Sequence, residues 1–367
     1  MFSVRGGGES SLYSVSYNRA NDKGIFLGNN FKQDNVRLKI NATKGIFEFD
    51  ANLSFKYSDS RQPQYQLKEA YMMTPLLPVF SDKEKDGYAL TNYDGLPNNR
   101  NVLADNHYRS AYNKQYQTAG NASAGINFTD YLNLKTAYSY RGSHERQKYH
   151  TPAYVADEKS KNDYPYYSET TGYWEENVWA NILSFNKRLN KHSINAMLGT
   201  SISSRKYTWN SVGVEGKTTV YRVENGSLVT SENANGFLDP YFQTIGAGIG
   251  GTFDGDGSKW DYNRVSFFGR VNYNYDNRYL LQVTMRRDGS SKFGANSRWG
   301  NFPSVALGWR VTEEDFFEKN DILDDLKLRA SWGRLGNENA LGYYDFQALI
   351  STRNTKFQGY VRGNGDN

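Results

Sequence analysis

The residues that could carry chemistry are scattered along the chain, so spacing has to decide among them. Arg286, Arg287 and Asp288 set two guanidiniums beside a carboxylate. Such a group could grip an anionic solute, or it could sit charge-satisfied where a strand enters a loop. Asp254-Gly255-Asp256-Gly257 with Asp261 resembles the start of a calcium loop. That pattern needs a third ligand at its fifth position and a glutamate at its twelfth, and these positions hold Ser258 and Val265. A plain turn is the simpler reading. His107, His144, His150 and His192 lack metal-ligand spacing and are expected in loops or at a turn. Glu175-Glu176 could be imagined as the acid pair of a glycosidase, but nothing in the sequence builds a pocket around it. Serine-hydrolase and phosphate-loop motifs are absent. No catalytic, cofactor-binding or metal-binding residue is therefore assigned, and the chain is not expected to be an enzyme. The residues best suited to bind something are aromatic. Tyr164, Tyr166, Tyr167, Tyr173 and Trp174 fall in a stretch that reads as a loop, where ring faces could stack on a substrate.

What must position these residues is a set of strands. Val265, Phe267, Gly269, Val271, Tyr273 and Tyr275 alternate with Ser266, Phe268, Arg270, Asn272 and Asn274. After a turn at Asp276-Asn277, Leu281, Val283 and Met285 alternate with Gln282, Thr284 and Arg286. Phe47, Phe49, Ala51, Leu53, Phe55 and Tyr57 make the cleanest row, each followed by a polar residue. A period of two means one apolar and one polar face. Strands of about ten residues with this pattern are the mark of a membrane barrel, whereas ordinary strands run about five or six. About a dozen such strands are legible, joined by turns of a few residues that alternate with long connections, as in outer-membrane barrels. A loop is expected at Asn21–Asn30, and long connections at Asp59–Gln117 (with a short helix at Gln66–Met73), Gly142–Glu176 and Arg205–Asn263. A final strand is expected near Tyr343–Ile350.

Composition agrees. Of 367 residues, 29 are tyrosine and 34 glycine, and 15% are aromatic. Mean hydropathy is −0.78, and no run approaches the roughly 18 apolar residues of a membrane helix. That does not argue against a barrel, which shows lipid only every second side chain. With no cysteine there is no disulfide framework. The net charge of +5 is dispersed, unlike a nucleic-acid footprint. Tyr13, Tyr17, Tyr57, Tyr138, Tyr140, Tyr273, Tyr275 and Tyr279 gather near strand ends, as an interfacial girdle would. No signal peptide is visible, and both ends read as cut.

One block is more specific than any periodicity. Residues 286–294 (RRDGSSKFG), 298–310 (RWGNFPSVALGWR), and 326–333 (LKLRASWG) with Gly336-Asn337 resemble the SusC/RagA family of TonB-dependent outer-membrane transporters. Residues 266–273 (SFFGRVNY) and 74–79 (TPLLPV) fit the same pattern. The resemblance implies an all-β fold, a transmembrane antiparallel up-and-down barrel with long extracellular loops. Residues 1–367 would be part of the barrel domain, with plug, signal peptide and C-terminal strands absent. It further implies uptake of oligosaccharides or peptides in the bacterial outer membrane, a SusD-like surface lipoprotein as partner, and energy from TonB through regions absent here. The competing reading is a soluble β-rich glycan-binding protein or glycosidase, which requires short strands around a closed core.

Overall fold

The computed structural model describes residues 1–65, 67–76, 78–82, 87–89, 101–155, 161–162, 164–216, 218–224, 227–233, 244–248, 252–317 and 323–347. The strands are β1 (Phe2–Gly8), β2 (Ser11–Lys23), β3 (Asn30–Lys44), β4 (Phe47–Arg61), β5 (Ser110–Thr129) and β6 (Leu132–Thr151). Then come two short pairs among longer strands: β7 (Tyr154–Val155), β8 (Lys161–Asn162), β9 (Tyr166–Leu189), β10 (His192–Glu215), β11 (Thr218–Glu224) and β12 (Ser227–Asn233). β13 (Thr252–Tyr275), β14 (Tyr279–Ser290), β15 (Trp299–Arg310) and β16 (Lys327–Gly333) complete the set. Two short helices, α1 (Leu67–Met72) and α2 (Val102–Tyr108), lie between β4 and β5. All the long strands join one 12-stranded antiparallel sheet in the order β1-β2-β3-β4-β5-β6-β9-β10-β13-β14-β15-β16. Every neighbour in space is therefore the next long strand in sequence, the up-and-down topology of a barrel wall. Among the described residues β1 and β16 each pair on one side only, so the sheet is an open arc.

The register explains the sequence pattern. Leu183, Leu198 and Gly269 sit side by side across β9, β10 and β13, as do Trp179, Ile202 and Val265. These residues form one face, and its large side chains stand uncovered: Leu198 is 66% exposed, and Phe267, Val271, Leu307 and Leu328 are exposed too. Among the described residues buried apolar ones are few, and most lie in the connections or at the tops of the long strands, at Ala89, Val102, Ala104, Tyr154, Tyr167, Val214 and Ala247. A soluble protein rarely leaves a contiguous apolar patch beyond a few hundred Å² uncovered. Here the part of this face nearest the tight turns is such a patch, so its natural neighbour is hydrocarbon. The closed core demanded by the soluble reading is not present among the described residues.

The opposite face is polar and internally bonded. Asp50 accepts from Asn41, from Lys135 Nζ at 3.2 Å and from Ser123 Oγ at 3.4 Å. Asn127 donates to Glu48 at 2.6 Å and accepts from Asn133 at 2.7 Å. At one end of the sheet the connections are tight. Asn190, Asp276 and Asn277 adopt positive φ of 49°, 51° and 57°, a region that asparagine and aspartate tolerate better than most residues. Neighbouring turns are then tied together. Lys191 pairs with Asp276 at 2.7 Å, and Arg278 reaches Glu314 at 3.2 Å and Asp315 at 2.7 Å. Glu314 also accepts from the Tyr279 hydroxyl at 2.6 Å and the Trp309 indole at 2.9 Å, fixing two interfacial rings. These two donors hold its carboxyl below the ordinary glutamate range.

At the other end the expected loops prove to be mostly strand. The stretch Gly142–Glu176 contains the upper part of β6 and the start of β9. Arg205–Asn263 contains the rest of β10 and the beginning of β13, including Asp254 to Gly257, which form neither turn nor calcium loop. Asp59–Gln117 shrinks at both ends, and Asn21–Asn30 becomes the ends of β2 and β3 around a short connection. His144 and His150 lie in β6, His192 begins β10, and His107 lies in α2. The expected helix is present as α1, one residue shorter at its end because Met73 is a bend, and Gln66 lies outside the described residues. Residues 343–347 are not strand, and 348–350 lie outside the described residues. The reason for the missed strands is physical. β9, β10 and β13 are each 24 residues long, roughly 80 Å at the usual rise, while crossing the bilayer takes about 9–11 residues. Above the membrane both faces meet water, so the apolar-polar alternation fades while the hydrogen-bonded ladder continues.

The assignment of faces can be tested on full-length protein folded into lipid vesicles. Leu198→Lys places a charge on the apolar face and is expected to lower stability by about 2–4 kcal/mol. Asn195→Lys, three residues earlier on the polar face, is expected to change it little. Equal costs in a urea titration would refute the assignment.

Candidate functional site

Parity separates the five aromatic candidates. In β9, Tyr167 and Tyr173 share the face of Trp179 and Leu183, whereas Tyr166 and Trp174 share the polar inner face; Tyr164 precedes the strand. None of the four strand residues lies in a loop. Tyr167 is 2% exposed and donates its hydroxyl to Glu169 at 2.5 Å. Glu169 also pairs with Arg146 at 2.5 Å and Lys148 at 3.2 Å. These contacts make Tyr167 part of the wall. Tyr173 bonds Glu175 at 2.8 Å on the outer surface, and the backbone carbonyl of Tyr164 accepts from Asn162. Only Trp174 and Tyr166 look into the vestibule.

Trp174 has company there. The register places it beside Tyr207 of β10, and Tyr207 beside Trp260 of β13, so three rings run across three strands at one height. The Tyr207 and Trp260 centroids are 5.6 Å apart. Below this row Arg205 Nε donates to Glu176 at 2.6 Å and its guanidinium covers Tyr262 at 5.6 Å. Glu176 is thus half of an ion pair in the inner wall rather than a free acid.

A segment after β16 folds back over this region. Residues 334–346 cross the inner face of β13 as a strap. Tyr262 donates to Glu338 at 2.5 Å, and Arg264 approaches the same carboxylate at 3.5 Å. Lys292 Nζ donates to the carbonyls of Glu338 at 3.2 Å and Leu341 at 2.8 Å, and stands 4.8 Å from the centre of the Tyr343 ring. Asp261 N–H donates to the Tyr344 hydroxyl at 3.1 Å. Tyr343 itself stacks on Trp260, centroids 3.9 Å apart and planes 8° from parallel. Between strap and wall lies a cavity of about 380 Å³ lined by Arg264, Asp288, Arg298, Phe302, Arg334 and Glu338. Burial works to raise the carboxyl of Glu338, but bonds from Tyr262 and Ser290 and the nearby charges of Arg264 and Lys292 bring it below the ordinary value.

The arginine cluster is largely consumed by the wall. Arg286 donates to Asp288 at 2.7 Å and Ser266 at 2.9 Å and lies over Phe268. Arg287 points to the opposite face, over Trp299. Tyr207, Trp260, Tyr262 and the strap carry the site but fall where sequence reasoning placed loops or a strand. A signal existed: extending the parity of Ser266 and Phe268 backwards puts Arg264, Tyr262 and Trp260 on the inner face.

Comparison with known proteins places this geometry. No family model matches the chain. It is 56% identical over 75 residues, 20% of this chain and 8% of the relative, to "TonB-dependent receptor SusC" of Bacteroides thetaiotaomicron. It is 25% identical over 353 residues, 94% of this chain and 31% of the relative, to "TonB-dependent receptor P39" of Formosa agariphila. Among solved structures it superposes on a chain of the RagAB peptide transporter with a TM-score of 0.74 at 20% identity, covering 99% of this chain and 40% of that one. The chain thus spans about a third or less of the length of these curated relatives. Fold and relatives define the class, a TonB-dependent outer-membrane receptor barrel. Within that class the chain is similar to proteins of the SusC/RagA type.

The Glu338 latch is expected to make the strap acid-sensitive. A carboxylate whose folded pKa is depressed stabilises the docked state above its unfolded pKa and loses that contribution as pH falls through the folded value. Amides of residues 336–344 are therefore expected to stay protected from exchange at neutral pH and to open on acidification below the usual glutamate range. Glu338→Gln is expected to flatten this dependence, and the same acid opening in that variant would assign it elsewhere.

Proposed function

We propose that this chain supplies wall and outer vestibule to a transporter that takes up oligosaccharides or peptides across the outer membrane without altering them chemically. All of residues 1–367 belong to the barrel domain in this reading. The observation that carries it is the two-faced sheet: an apolar exterior matched to lipid, backing an inner face of ion pairs and ring faces. Inner-face Asn, Ser, Lys and Arg keep the passage wet, and the tall extensions of β9, β10 and β13 raise a vestibule above the bilayer. A SusD-like surface lipoprotein closes over that vestibule, and TonB drives release through parts of the protein outside this chain. The relatives named as TonB-dependent receptors support this reading, as does the structural likeness to a peptide transporter. The soluble alternative has no comparable support, because the exposed apolar face would have no partner in water.

Deletion of the full-length gene, followed by growth on a panel of single glycans and of peptides as sole carbon source, tests the proposal. Loss of growth and of labelled-substrate uptake on at least one of them, restored by the intact gene, is expected. Unchanged growth and uptake on every glycan and peptide would remove nutrient uptake as the function.

A further inference from the structure

The stack of Tyr343 on Trp260 is an unusual way to pair two half-buried rings. Aromatic pairs favour offset or edge-on arrangements with centroids about 4.5–7 Å apart, because both faces carry the same negative quadrupole. The two rings here are nearly parallel at 3.9 Å. The face of an indole is better matched by positive groups or by a surface of C–H bonds, such as one side of a pyranose ring.

The strap that brings Tyr343 is held by exchangeable polar contacts rather than by a core. Its anchors are Lys292 on two carbonyls and Tyr262 and Arg264 on Glu338. Its own large apolar residues face water, Leu335 at 94% exposure and Phe346 exposed as well. A segment with so little buried apolar surface belongs to the part of a fold that opens at low cost.

We propose that Trp260 is a stacking site for a sugar ring, continued across the wall by Tyr207 and Trp174, and that Tyr343 occupies it until an oligosaccharide takes its place. This rests on the uptake reading above and selects one of its two substrate classes. An extended peptide is typically recognised by adding main-chain hydrogen bonds to a free strand edge. β9 and β10 offer none, since both are paired on both sides at this height. β13 pairs with β10 alone beyond Arg264, but beside Trp260 its outward N–H groups at Asp261 and Asn263 are already taken by Tyr344 and Ser291. What the three strands present instead is three ring faces in a row, with adjacent strands about 5 Å apart. Beside the rings stand the Arg205–Glu176 pair, whose remaining donors and acceptors suit hydroxyl groups, and Arg264, whose guanidinium is released from Glu338 when the strap leaves. Displacing Tyr343 would carry the strap with it and open the cavity beneath, so binding at Trp260 would be coupled to the width of the vestibule.

The test uses purified full-length transporter and calorimetry, with hexasaccharides of glucose, xylose, mannose and fructose and a hexapeptide pool as probes. At least one hexasaccharide is expected to bind. Tyr343→Ala should bind it about 2- to 10-fold more tightly, and Trp260→Ala about 10-fold more weakly. Trp260→Tyr should recover part of the loss and serves if the alanine variant lacks the heat-modifiable migration of a folded barrel. Affinity untouched by either substitution overturns the site. So does a wild type that binds no hexasaccharide, or one in which only peptides respond to the substitutions. Cellular uptake separates the two readings. If uptake persists while the variants are silent, the site alone fails. If no saccharide or peptide is taken up by the wild type, the transport reading fails with it.

Discussion

Every feature of this protein depends on one constraint: a backbone that passes through hydrocarbon must satisfy all its N–H and C=O groups internally. Strands achieve this only by pairing on both sides, and the long strands here pair in unbroken registers, with a single irregularity near Asn127 and Thr129 in β5. Because the ladder accounts for the backbone, the side chains are free to specialise by face. Leu183, Leu198 and Phe267 can be left bare, and Asp50 and Lys135 can meet within the passage. The same ladder supplies the rigidity that sets Trp174, Tyr207 and Trp260 at one level.

Above the membrane the constraint lapses, yet the ladder persists. There it is dressed with cross-strand ion pairs, such as Arg146 with Glu169 and Lys206 with Glu175. Partly exposed pairs of this kind are worth about 0–1 kcal/mol each, so they trim the extension rather than hold it up. Its strength comes from continuous pairing and from caps at the top. One cap is the small cluster in which Tyr108 stacks on Tyr154 at 4.3 Å while Tyr154 bonds Asp105 at 2.7 Å. It joins the connection before β5 to the one after β6, turning two long insertions into a packed rim.

Much of the wall could be read from the amino acids alone. Phe47 to Tyr57 and Val265 to Met285 advertise their faces because lipid on one side and water on the other impose opposite demands on successive residues. The block from Arg286 to Asn337 added a family that periodicity could not. The vestibule was harder to read. Trp209, Asn210 and Ser211 alternate between two aqueous faces, and a strand in that setting looks like a loop. The strap was illegible for a different reason. Nothing local to Glu338 or Tyr343 announces that they meet Tyr262 and Trp260, more than seventy residues away in sequence. Trp174 was found because aromatics cluster around it, while Tyr167, chosen by the same rule, faces the other way. Composition could not tell them apart, but counting residues from Trp179 could have done.

The length of β10 and its partners has an evolutionary corollary. Along a paired strand, inserting one residue above Arg205 would send Tyr207 and Trp209 to the outer surface and bring Thr208 and Asn210 inside, reversing the vestibule lining. Inserting two would raise the rim and leave every side chain on its own face. Descendants of such a barrel are thus free to grow or shorten their chimneys in steps of two, matched on the facing strand, without disturbing what lines them. Height and selectivity can then drift independently, which suits a scaffold that must meet new nutrients under an old membrane.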